Sequence, residues 1–111
     1  MLVTPATLEA GYEFLKTLKP FQSWKLPDSD SVEFHVIKAR GVMGEFLAPN
    51  SIRVSAHSCR SIETTLMTLA HEMIHLYQHI KGTETRGEHN AEFHRIADRV
   101  CKIHLWDRGV F

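Results

Sequence analysis

Hydrophobic residues recur along this chain first with a helical period, then in alternation, then with a helical period again. Leu8, Tyr12, Leu15 and Leu18 fall at helical spacing between Thr4-Pro5, which reads as an N-cap followed by proline in the first turn, and Pro20. An amphipathic first helix is predicted there. Residues Phe21 to Ser31 carry Pro27 and Asp28-Ser29-Asp30 and are expected to form a loop. Val32, Phe34 and Val36 alternate with Glu33, His35 and Ile37, which predicts a strand with one buried face. A short second strand is expected around Val42 to Leu47, after a tight turn at Arg40-Gly41. Pro49-Asn50 makes another turn, and Ile52, Val54 and Ala56 alternate with Arg53, Ser55 and His57 in a third strand. Tight connections between three short strands imply an antiparallel sheet.

The helical period then returns. Ser61 with Glu63 starts the next helix, with Ser58 competing for the cap, and Lys81-Gly82 ends it. At about 100° per residue with His71 at zero, Ile62, Leu66, Leu69, Met73, Leu76 and Ile80 gather near 180°. The apolar side therefore faces away from His71 and His75, which look towards a cleft. Thr83 to Glu88 reads as a polar loop, and a final helix is expected from about Asn90 to Leu105, with Phe93, Ile96, Ala97, Val100 and His104 or Leu105 towards the core.

With 111 residues the chain suits one compact domain, 1–111, on a single core. Thirteen basic residues balance thirteen acidic ones, so no global charge draws nucleic acid or an anionic membrane. No stretch is long enough for a transmembrane helix, and Met1 to Ala10 has neither a basic leader nor a long apolar core. These features predict a soluble, cytoplasmic protein without a membrane partner. Cys59 and Cys101 are far apart with no C-x-x-C spacing, which leaves neither a disulfide framework nor a cysteine zinc ribbon and makes both small buried apolar residues. Eight histidines are many for this length and fit a metal protein.

The chemistry concentrates at His71-Glu72-Met73-Ile74-His75, an H-E-x-x-H run. Residues four apart share a helix face, so both imidazoles can reach one metal ion, and Glu72 flanks the pair where a general base belongs. A catalytic zinc needs a third protein ligand and an open position for water. His79 continues the spacing, but eight residues of rise put it about 12 Å from His71 along the helix, too far to share the ion. His89, at the end of the polar loop, is the favoured third ligand, with Glu92 and Glu88 as carboxylate alternatives. His35, His79, His94 and His104 are read as structural, surface or supporting groups, and His57 is placed at a strand end near the cleft. Tyr77, His57 and His94 are the candidates for stabilising an oxyanion.

Leu69-Ala70-His71-Glu72-Met73-Ile74-His75, followed by His89-Asn90-Ala91-Glu92-Phe93, resembles the SprT-like (Spartan/SprT) zinc metallopeptidase family. The likeness spans much of the chain. It implies an α+β, zincin-like fold: an N-terminal helix, a small three-stranded antiparallel sheet, the H-E-x-x-H helix and a C-terminal helix. By that resemblance His71, His75 and His89 are zinc ligands, Glu72 is the catalytic base, and the chain is a zinc metalloendopeptidase acting on a polypeptide. The family's H-G-P-E-F pattern is altered here, with Asn90 for glycine and Ala91 for proline, although Asn90 still suits an N-cap. Spartan-type members degrade proteins crosslinked to DNA; a DNA partner has little support in this composition. Two other readings stand beside this one. His71, His75 and His79 together resemble the ImmA/IrrE regulatory peptidases that cut repressors, and zinc could instead hold two helices of a non-catalytic binding module together.

Overall fold

The computed structural model describes residues 2–85 and 88–111; Met1 and the Arg86-Gly87 part of the expected polar loop lie outside the described residues. Helix α1 spans Pro5–Lys16, opened by Thr4, whose Oγ1 accepts from the Thr7 amide, and its Leu8, Tyr12 and Leu15 are buried. The expected loop holds two short 3-10 turns, Phe21–Ser23 and Ser29–Ser31. Three strands follow, β1 (Glu33–Ile37), β2 (Gly44–Leu47) and β3 (Ser51–Ser55), and then α2 (Ile62–Lys81) and α3 (Ala91–His104). The fold is α+β. Among the described residues no helix is long and apolar enough to cross a membrane.

The sheet is mixed rather than antiparallel. Its order is β1-β3-β2, with β1 parallel and β2 antiparallel to β3. Turn signals at Arg40-Gly41 suggest a β1–β2 hairpin, yet residues 38–43 instead carry the chain across the end of β3. There the Ala56 amide donates to the Ile37 carbonyl, the Ser55 hydroxyl to the Ala39 carbonyl and the Ser55 amide to the Met43 carbonyl. β3, with Ile52 and Val54 fully buried, thus takes the centre, and β2 is left as an edge strand.

Helix α2 is central to the packing, touching α1, α3, β2 and β3. Its ends follow local rules: Ser61 Oγ accepts from the Thr64 amide, and Gly82 closes the helix in the left-handed conformation at φ 75°. Leu69, Met73 and Leu76 are buried as the periodicity predicts, and Leu66 is half-buried. Ile62 and Ile80, in phase with them, are 63% and 53% exposed, because the first and last turns run past the elements that cover the middle of the helix. Thr65, Thr68, Glu72 and Gln78 are buried too, so the histidine side of α2 is partly roofed rather than fully open.

Asn90 opens α3 by accepting from the Phe93 amide at 2.9 Å. The same Oδ1 accepts from Nε2 of buried Gln78 on α2, and the Asn90 amide group donates to the Thr83 carbonyl and the Thr85 hydroxyl. Glu92 takes hydrogen bonds from Gln78, Lys81 and Thr83. These bonds fasten the start of α3 to the end of α2, and His89 is the residue immediately before the cap.

Candidate metal centre

His71 and His75 stand one turn apart on α2, and the fastened turn brings His89 against them. One ring nitrogen from each of the three lies within 4.8 Å of the other two. Ring centroids are 5.4 Å apart for His71 and His75, 4.8 Å for His71 and His89, and 5.0 Å for His75 and His89. Phe93, buried on the first turn of α3, lies beneath the cluster: its ring stacks on His89 at 4.2 Å and on His75 at 4.7 Å. Its place in the core follows from the period of α3, but nothing in the sequence marks it as the platform of the site.

The donor set fits a metal cation. Nδ1 of His71 lies 2.8 Å from the Phe111 backbone oxygen, which can only accept, so Nδ1 carries the proton and Nε2 presents its lone pair to the cluster. That Nε2 is 3.2 Å from Nε2 of His89. A backbone acceptor behind a ligating imidazole is the usual way its tautomer is set. Burial holds His71 and His75 down to about 4, with like-charged neighbours adding to the effect, and it lowers His89 as well. Neutral imidazoles converging on one point could hold a metal ion, whereas imidazolium groups could not.

Glu72 is 4% exposed and lies against β2, where a Cβ on Gly44 would come within 3.4 Å of its Oε2. Burial, assisted by the charge of Glu45, pushes its carboxyl up to about 8. Glu72 and His71 line two hollows at once. One is a cleft of about 830 Å³ running from β2 and Ala48 past His75 and His89 to Glu84 and Glu88. The other, of about 210 Å³, lies towards Met67 and Phe111.

The remaining candidates do not join the three-histidine cluster. Nδ1 of His79 is 2.6 Å from Glu84 Oε1, and this histidine is not among the three that converge. Glu92 is held well below the usual carboxylate range, at about 2, by hydrogen bonds from Thr83, Gln78 and Lys81. Glu88 lines the cleft beside His89. Tyr77 stacks on Trp24 at 4.4 Å and lines a separate hollow with Lys81 and Arg95, and His57 lines neither hollow at the site. His94 sits 6.3 Å from His89 ring to ring, with its Nδ1 2.8 Å from an Arg108 guanidinium nitrogen. Arg108, also paired with Asp98 and close enough for its charge to depress His71 and His89, has no signal in the sequence because it lies beyond the last periodic segment. His35 is near exposed Glu33, and His104 Nε2 donates to the Lys19 carbonyl. Cys59 and Cys101 are free and buried, as expected.

The SprT-like family model matches residues 9–108, nearly the whole chain. The chain belongs to the SprT-like family. No curated protein and no solved structure matches it. The SprT-like match takes in His71, Glu72, His75 and His89, and it stops before Val110 and Phe111, which border the smaller hollow. Where this SprT-like chain departs from the family pattern at Asn90 and Ala91, the helix start is intact: Asn90 caps it and Ala91 is its first residue.

Proposed function

We propose that this SprT-like protein is a zinc-dependent metalloendopeptidase of zincin-like architecture, in which His71, His75 and His89 hold the ion and Glu72 is the general base. The observation that carries this reading is the convergence of three neutral imidazoles beside a buried carboxyl at the edge of a sheet. Zinc at that point would supply positive charge, which acidifies water, polarises a carbonyl and favours the carboxylate form of Glu72.

The rest is done by the chain itself. Phe93 and the Phe111 carbonyl orient the imidazoles, so the donor set is assembled before substrate arrives. Glu72, once ionised, takes a proton from the attacking water and passes it to the leaving amine. Its burial keeps competing water away from the carboxylate. β2 is an edge strand among the described residues and borders the cleft, and an extended polypeptide laid beside Gly44–Leu47 would be held by main-chain hydrogen bonds. Recognition of that kind suits a polypeptide of varied sequence. A DNA-bound protein as its source is carried by family resemblance alone.

Glu72→Gln tests the assignment. It should retain zinc and lower the rate of peptide hydrolysis by roughly 10²–10⁴-fold. Cleavage by the variant at the parental rate would sink the role given to Glu72. The repressor-cutting alternative, which needs His79 at the metal, is disfavoured by the pairing of His79 with Glu84.

A further inference from the structure

The smaller hollow beside Glu72 differs from the cleft in chemistry. Its walls are Met43, Met67, Val110 and Phe111, closed on the α2 side by Thr64 and Thr68. Both threonine hydroxyls are already engaged. Thr64 Oγ1 accepts from Ser61 Oγ, and Thr68 Oγ1 donates to the Thr64 carbonyl and meets Cys59 Sγ at 3.3 Å. Thr68 turns its Cγ2 methyl towards Gly44. The Phe111 backbone oxygen accepts from His71 Nδ1, and the other polar side chains of the lining, His71 and Glu72, are given to the chemistry of the site. By contrast the cleft is bordered by Glu45, Glu84 and Glu88.

The hollow holds about 210 Å³, far more than the roughly 10–15 Å³ that one water takes up. Apolar walls hold water poorly, and two methionines adapt readily to an aliphatic or aromatic guest. Gly44 lines both spaces, so side-chain-free backbone stands where the cleft leads into the hollow. In a strand laid along β2, successive side chains point to opposite sides, and one of them would be directed past Gly44 towards Glu72. Glu72 works at the bond being cut, which restricts the side chain entering here to a residue adjoining that bond.

We infer that this hollow is a specificity pocket, seating an aliphatic or aromatic side chain such as leucine, methionine or phenylalanine from the substrate residue that flanks the cleaved bond. The inference rests on the peptidase reading for the word "cleaved", while the selectivity of the hollow can be read without turnover.

The experiment has two arms on the zinc-loaded full chain. In the first, the methyl resonances of Met43 and Met67 are followed by NMR as N-acetyl-leucinamide or N-acetyl-lysinamide is added. The leucine amide should shift both methyls in a saturable way, and the lysine amide should not. In the second, a mixture of proteome-derived peptides is digested and the cleaved bonds are mapped. Bonds flanked by Leu, Met or Phe should be favoured about 10-fold over those flanked by Gly, Lys or Glu. Thr64→Phe and, separately, Val110→Trp should fill the hollow, abolish the leucine-amide shifts and move the preference to Gly and Ala. Equal shifts with both amides, or an apolar preference that both folded variants keep, overturn the inference. Leucine-selective shifts with no peptide cleaved overturn the peptidase reading and support the pocket. Cleavage without apolar preference does the reverse.

Discussion

Towards α1, helix α2 presents Leu69, whose Cδ1 lies 2.7 Å from where a Cβ on Gly11 would stand; towards β2 it presents Thr68 and Glu72, against Gly44. Both sides achieve close approach with a glycine, but the neighbours differ. At Gly11 the obstacle is the tip of a flexible side chain. At Gly44 it is the Arg53 carbonyl and the Thr68 methyl, each 2.7 Å from the missing Cβ, with the Glu72 carboxyl at 3.4 Å. One side of the helix is hydrocarbon that can repack. The other is backbone and groups bordering the candidate metal centre, and it stays buried at an electrostatic cost visible in Glu72, His71 and His75.

The largest expected effect is on the pH dependence of the metal-free protein, which isolates that cost. His71 and His75 drop from 6.5 to about 4 on folding, so from pH 4 to 6.5 the unfolded chain binds two protons that the folded one refuses, and stability rises with pH. Glu72 rises from 4.5 to about 8, so from pH 4.5 to 8 the folded protein keeps a proton that the unfolded chain releases, and stability falls with pH. Two imidazoles outweigh one carboxyl in the overlap. The melting temperature should therefore peak near pH 6.5, with losses on the order of several kcal/mol towards pH 4. In metal-free Glu72→Gln the decline above the peak should vanish. A parent protein that is still gaining stability at pH 8 would break the contrast between the two sides.

Next in size, His89→Ala should weaken zinc by at least about 100-fold in a chelator competition, since even an outer partner of a ligand is worth 10–100-fold. The far-UV circular dichroism should be unchanged, because His89 lies outside α1, α2 and α3. Retention of parental zinc affinity would remove His89 from the site.

The two glycines give the direct comparison. Gly44→Ala should cost about 1–3 kcal/mol in denaturant unfolding and reduce peptide hydrolysis with it. Gly11→Ala should stay within about 1 kcal/mol of the parent, because alanine's better helix propensity offsets the displacement of the Leu69 tip. Equal costs at the two positions would mean that the polar side yields as readily as the apolar one. Asn90→Ala should likewise have a modest effect, about 1 kcal/mol from the lost cap, read as a lower melting temperature. A weaker hold on zinc should accompany it, since Asn90 fastens the turn that carries His89.

Features dictated by neighbours in the chain are legible in the sequence. Thr4, Ser61 and Asn90 cap the three helices, Gly82 stops α2, and the strands fall within two residues of the alternating segments. Strand pairing is not legible in the same way. Arg40-Gly41 has turn chemistry, but whether a turn closes a hairpin depends on what lies opposite, and here β3 comes between β1 and β2. The exposure of Ile62 and Ile80 has a similar origin: periodicity assigns a face to the helix without saying how far along it the cover extends. Tyr77, apt by residue type for an oxyanion partner, is directed to Trp24 by the loop after α1, and Arg108 joins His94 through the fold alone.

By itself the sequence determined that His71 and His75 share a helix face, that Glu72 flanks them, and that Leu69, Met73 and Leu76 face away, because helical geometry sets side-chain direction from spacing. Only the tertiary structure decided that His89 completes the cluster, that Phe93 lies beneath it, that Glu72 is pushed up to about 8, and that an apolar hollow opens beside it. Each of those depends on residues far apart in the chain excluding water together. Burial of the polar site groups is a property of the assembled fold, and no local pattern encodes it.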